Sequence, residues 1–268
     1  MVEYKFKDKY KVEDLLEIMA VLRSPGGCPW DAEQTHSSIR KDFIEETYEV
    51  IEAINKDDKE LLKEELGDVL LQVAFHTQIE KEQGCFDFDD VADGICKKLI
   101  ERHPHVFGQV SVSGTKEVLD NWDTIKRASK GQKTQGSSML KVPKELPALM
   151  RAQKIQSKAK KAGFDWDDVS GAFEALESEI KELRQAMMSG DKENIMEEMG
   201  DLLFSAVNIS RFIGVESEEA LTLSNEKFIS RFVQVEKLCE ERNIDMKTSS
   251  IEELDVLWNE AKQLTGSR

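Results

Sequence analysis

The sequence predicts an all-α protein built from two copies of one helical bundle, and three observations carry that prediction. Apolar residues recur at helical spacing along most of the 268 residues, and no stretch alternates convincingly with the period of two that a strand needs. An acidic pattern at Glu46, Glu49, Glu65 and Asp68 returns as Glu179, Glu182, Glu198 and Asp201, each 133 residues further on. Other landmarks return in the same order. Lys98 and Arg102 match Lys227 and Arg231, Trp122 to Lys126 matches Trp258 to Lys262, and G-x-x-W-D occurs at both Gly27 and Gly163. A fixed order of landmarks in both halves marks an internal duplication.

The elements follow from periodicity and breakers. Val12, Leu15, Leu16, Met19 and Leu22 form a helical stripe that stops at Ser24-Pro25-Gly26-Gly27. Residues 39–54 form the first acid-bearing helix, with Phe43, Ile44, Val50, Ile51 and Ile54 expected to face inward. Residues 61–80 form its partner, with Leu62, Leu66, Val69, Leu70 and Val73 inward. The short polar break between them predicts antiparallel neighbours. Helices over 88–102 and 118–127 complete the first copy, the former stopped by His103-Pro104. The stretch 128–138 lacks any large apolar residue and reads as a linker. The expected division is therefore a domain over 1–127, a linker over 128–145 and a second domain over 146–268. Within the latter, helices are predicted over 146–162, 169–188, 194–212, 217–242 and 251–264. Gly67 and Gly200 each precede the motif aspartate inside a helix, where glycine costs about 1 kcal/mol relative to alanine, which suggests close helix approach.

Composition narrows the function. Hydrophobic residues at 40% and charged residues at 34% fit a soluble globular chain, and no apolar run is long enough to span a membrane. The first ten residues lack the apolar core of a secretory signal. Cys28, Cys85, Cys96 and Cys239 show no C-x-x-C spacing and read as reduced thiols of a cytoplasmic protein. A net charge of −16 argues against a nucleic-acid polymer as partner.

Residues three apart share one helix face, about 5.4 Å along the axis. Glu46 and Glu49 thus project from one helix and Glu65 and Asp68 from the next, and four carboxylates can converge. Their repulsion is relieved by a hard divalent cation; ligands made only of carboxylates favour Mg²⁺ or Mn²⁺ over zinc. The same argument holds for Glu179, Glu182, Glu198 and Asp201. A lone E-E-x-x-E is usually a solvated helix face, and duplication is what lifts this one above that reading. Lys98/Arg102 and Lys227/Arg231 are pairs four apart suited to phosphate. Trp122 and Trp258 suit stacking on a nucleobase, with Lys126 one turn from Trp122. Trp30 and Trp166 adjoin breakers and read as structural. The four histidines lie in the first half, and Glu33-x-x-His36 has no counterpart in the second, so it reads as chance.

E-E-x-x-E followed by E-x-x-D, together with R-A-x-K-I-Q at Arg151, GFDW at Gly163 and NEKF-x-x-RF at Asn225, resembles the MazG family of nucleoside triphosphate pyrophosphohydrolases. The resemblance spans nearly the whole chain, including its tandem arrangement. It implies an all-α fold related to dimeric dUTPases, and Mg²⁺-dependent hydrolysis of NTPs and dNTPs to monophosphate and pyrophosphate with broad base tolerance. By position, it implies Glu179, Glu182, Glu198 and Asp201 as metal ligands, Lys227 and Arg231 on the phosphates, and Trp258 at the base. It also implies a homodimer and a division of duties between copies, with the C-terminal copy expected to be the main catalyst. One position departs: Glu45 of E-E-x-x-E is Ser178 in the second copy. Either an orienting role toward water or a peripheral one is compatible with that change. The competing reading is an acidic helical adaptor for a basic protein; a di-iron bundle needs recurring Glu-x-x-His pairs that are absent.

Overall fold

The structure is a computed structural model that describes residues 4–129 and 134–266, with the side chains of residues 120 and 135 left out. Among the described residues there are thirteen helices and no strand. The chain divides into two compact units, 1–126 and 127–268.

In the first unit, α1 (Val12–Arg23) and α2 (Pro29–Glu33) lead into the hairpin of α3 (Arg40–Asn55) and α4 (Lys59–Glu82), followed by α5 (Phe88–Arg102), α6 (Pro104–Phe107) and α7 (Thr115–Ser129). The hairpin turns where Asp57 takes a left-handed backbone (φ 51°) and Asp58 accepts hydrogen bonds from the backbone N–H groups of Glu60 and Leu61. An aspartate cap of this kind satisfies the orphan donors of the new helix and suits the positive end of its dipole. Met19, Ile39, Phe75 and Ile79 form the core, with Leu22 and Leu71 packed against it.

The second unit contains α8 (Gln135–Met139), α9 (Ala148–Lys161), the hairpin of α10 (Val169–Ser189) and α11 (Lys192–Phe212), and a second pair, α12 (Ser217–Arg242) and α13 (Ile251–Leu264). Gly190 in the left-handed region and Asp191 as N-cap make the α10–α11 turn. The core lies between α12 and α13, where Val235, Leu238, Cys239, Leu257 and Ala261 are buried. Of the expected linker over 128–145, residues 130–133 lie outside the described residues, and the described part from residue 134 on is structured. It contains α8, with Thr134 as its cap, and Lys158 Nζ of α9 donates to the buried Ser138 Oγ at 2.9 Å. Buried Val142 supplies a further anchor.

Two expectations about inward faces are corrected. Ile44, Ile51, Ile54 and Leu66 are exposed, at 53%, 41%, 56% and 51%. A two-helix hairpin has two broad faces, and among the described residues of the unit these four side chains stay uncovered. The counterparts of Ile54 and Leu66, Met187 and Met199, are exposed in the second unit as well. The motif glycines do not serve close helix approach, for a Cβ at Gly67 or Gly200 would meet nothing within 4 Å. Gly200→Ala is therefore expected to raise the stability of the isolated chain by about 1 kcal/mol, read by denaturant unfolding; a lower midpoint would show a contact that the folded chain hides.

His36, which reads as chance for want of a counterpart in the second half, is organised in space. Its ring stacks on His76 with centroids 5.0 Å apart, its Nδ1 lies 2.7 Å from His76 Nδ1, and its Nε2 lies 2.6 Å from Glu80 Oε1. One proton between the two Nδ1 atoms satisfies both, and a second forces two N–H groups together. Burial, then the His36 charge, holds the His76 pKa below its usual value. A depressed histidine pKa means that the unfolded chain binds more protons, so this contribution is present above about pH 6.5 and is lost as pH falls below it. His76→Phe, which keeps the contact with Phe43, should flatten the acid limb of the unfolding midpoint between about pH 7 and pH 5.

Candidate active site

Each hairpin brings three glutamates together. Oxygens of Glu46, Glu49 and Glu65 lie within 4.8 Å of one another, and so do those of Glu179, Glu182 and Glu198. Helix register does this. Two acids one turn apart on the first helix meet a third from the antiparallel helix, across the packed faces of α3 with α4 and of α10 with α11. Glu65 is buried. Asp68 and Asp201 stand outside these triplets, although each is near enough to act on the first glutamate of its motif. The Glu46 pKa is raised by burial, then by the charges of Asp68 and Glu49; that of Glu179 by burial, then by Glu182 and Asp201. Glu65 is raised by burial and then Glu49, and Glu198 by burial and then Glu182.

These donors fit a hard divalent cation. Oxygens bound to Mg²⁺ at about 2.1 Å lie up to about 4.2 Å apart across the ion, so the observed spread needs only a small closure. Among the described residues no other triplet of His, Cys, Asp and Glu gathers this way.

The other expected site residues are distributed differently. Lys227 is exposed and Arg231 half-buried, with Arg231 Nε buried and unpartnered; neither forms an ion pair among the described residues. Lys98 and Arg102 repeat that contrast, with Arg102 Nε likewise buried and unpartnered. The two tryptophans differ. Cations face the Trp122 ring, Lys126 Nζ at 4.4 Å and the Arg102 guanidinium at 5.2 Å from its centroid. Trp258 instead packs on Phe228 at 5.2 Å and borders the α12–α13 core. Trp30 and Trp166, read as structural, are 59% and 46% exposed.

Ser178, the departure from the motif, donates from Oγ to Glu182 Oε1 at 2.7 Å. The signal for this bond lay in the sequence, because residues four apart face each other on a helix. Ser178 thus holds one of the three carboxylates in place, a role that a glutamate could not fill by donation.

Comparison with known proteins meets this geometry. Residues 34–107 and 169–235 match the MazG nucleotide pyrophosphohydrolase domain, one segment around each acidic hairpin. The chain belongs to the MazG family. A nucleoside triphosphate pyrophosphohydrolase/pyrophosphatase of Thermotoga maritima is 46% identical over 93% of this chain and 95% of its own. The nucleoside triphosphate pyrophosphohydrolase of Escherichia coli K12 is 43% identical over 94% of this chain and 97% of its own. A Bacillus subtilis protein, YabN, is 48% identical over 92% of this chain and half of its own length. Both MazG segments end before α13, so Trp258 lies outside them.

If the triplets hold cations, adding Mg²⁺ to chelator-treated protein should raise the melting temperature, because a ligand of the folded state alone stabilises it. Glu198→Gln in the second unit should remove part of that rise, and Ser178→Ala should raise the Mg²⁺ concentration needed by about threefold, the loss of one modest hydrogen bond. Identical Mg²⁺ titrations for Ser178→Ala and wild type would count against its positioning role.

Proposed function

We propose that the protein hydrolyses nucleoside triphosphates to nucleoside monophosphate and pyrophosphate with Mg²⁺, or Mn²⁺, held at the glutamate triplets. The observation that carries this reading is the convergence of three carboxylates from two helices, twice, with no cationic side chain paired to them among the described residues. In the second unit Glu179, Glu182 and Glu198 would be ligands, with Asp201 beside them. A divalent ion there supplies charge neutralisation and polarises the triphosphate oxygens. The rest falls to the chain: the glutamates fix where the phosphates dock, Ser178 orients Glu182, and Lys227 and Arg231 take up the charge that develops on the phosphates. The choice of the α–β bond follows the relatives' names, and broad tolerance of base and sugar with a role in clearing unwanted nucleotides follows the family reading.

Two further parts of the reading rest on surfaces and thiols. The uncovered stripe of Ile180, Met187, Met199 and Leu203 on the second hairpin suits burial against a second copy, as large apolar patches usually do. A homodimer also offers a way for Lys227 and Arg231 to approach acids that they do not pair with in one chain. Four unpaired cysteines fit a reducing cytoplasm.

The C-terminal unit is the main catalyst in this reading. Glu198→Ala and Asp201→Ala are expected to lower Mg²⁺-dependent turnover at least a hundredfold with the helical circular-dichroism signal intact, whereas Glu65→Ala keeps most of it. Chromatography of the products from ATP decides the chemistry: AMP and pyrophosphate agree, ADP and orthophosphate refute.

A further inference from the structure

Two histidines and a glutamate of the first unit form a chain of contacts that the hydrolytic reading leaves unused. His36 Nδ1 lies 2.7 Å from His76 Nδ1, and His36 Nε2 lies 2.6 Å from Glu80 Oε1. A carboxylate at neutral pH accepts and does not donate, so Glu80 fixes the His36 proton on Nε2 and leaves a lone pair on Nδ1. That lone pair takes the proton of His76 Nδ1. Burial, then the His36 charge, lowers the His76 pKa and keeps its ring neutral at pH 7.

Both histidines are tied to one core. Ile39, three residues after His36, packs with Phe75 and Ile79, which bracket His76 on α4. The rings meet where solvent reaches them, for the side chain of His36 is 43% exposed and that of Glu80 19%. In the second unit, 133 positions on, Ile209 and Ile213 stand in place of His76 and Glu80, and the histidines all lie in the first half. The arrangement therefore belongs to the first unit.

A carboxylate behind one ring nitrogen, with the other nitrogen facing a second imidazole, is how proteins orient histidine ligands to metals. Imidazole suits Zn²⁺ and neighbouring transition metals and is a poor match for Mg²⁺, which prefers oxygen. We propose that His36 and His76 bind a Zn²⁺ ion through their Nδ1 atoms, with Glu80 holding His36 and water filling the remaining positions. Little adjustment is needed. At Zn–N distances of about 2.0–2.1 Å, two tetrahedral ligands lie about 3.3 Å apart, an opening of about 0.6 Å that the partly exposed His36 can supply. The shared proton moves to His76 Nε2 as the Nδ1 lone pair turns to the metal, so both rings bind neutral. The ion ties the segment before α3 to α4, at the end of the hairpin opposite its turn. This site stands apart from the hydrolytic reading and differs from the glutamate triplets in donor type.

The test uses chelator-treated full-length protein with Mg²⁺ in large excess, so that the harder ion fills the triplets. Isothermal titration calorimetry with Zn²⁺ should show a site that His36→Gln and His76→Phe each remove. Glu80→Gln should weaken it about 10–100-fold, the usual cost of losing the carboxylate behind a ligand. Cys85→Ser, which removes an exposed thiol hydrogen-bonded to Glu80, should keep it. X-ray absorption of the wild type at one equivalent of Zn²⁺ needs no substitution and should show imidazole scattering. Equal zinc binding in the wild type and both histidine variants overturns the assignment. So does a shell of sulfur or carboxylate oxygen without imidazole, or a wild type that takes up no Zn²⁺.

Discussion

Like charge held close is the constraint on which the rest of this protein depends. Two antiparallel helices bring three glutamates to one point in each unit, and among the described residues no cation pairs with them. Burial adds to the repulsion, and within the triplets Glu46, Glu65, Glu179 and Glu198 are shifted toward protonation. A fold tolerates such strain when something outside it relieves the strain during function. Aspartate caps at Asp58 and Asp191 keep the register of each hairpin, so the repelling groups cannot drift apart by a helix slip.

The two units have diverged around this shared feature. In the first, the space beside the hairpin is filled by Arg23 over Phe75, and cations face Trp122. In the second, a cleft opens beside Trp166 and Phe204, Trp258 packs against Phe228, and Ser178 orients Glu182. The acids are the same in both units, so what distinguishes them beside the hairpins is packing.

Much of this was legible in the sequence because periodicity and spacing are local. The helix pairs, their polar turns and the glutamates one turn apart all follow from rules spanning four residues. What was not legible depends on which surfaces meet. Ile44, Ile51, Ile54 and Leu66 look like core residues by pattern, and yet they are exposed, because an apolar stripe does not say whether its cover comes from the same chain. Gly67 and Gly200 suggested close packing and adjoin open space. His36 and His76 are forty residues apart and meet only through the fold.

The exposed stripes and the unpaired acids point the same way. A glycine kept inside a helix at a cost, beside an aspartate and facing nothing in its own chain, is hard to explain by the fold alone. Its missing Cβ leaves open space beside the motif aspartate. Met199 and Leu203 flank Gly200 within one turn on α11, and both are exposed. An apolar surface with a gap beside its charged centre is suited to being covered around its rim and left accessible in the middle. The glycine, the stripe and the glutamates share one trait: among the described residues nothing covers the first two and no cation pairs with the third.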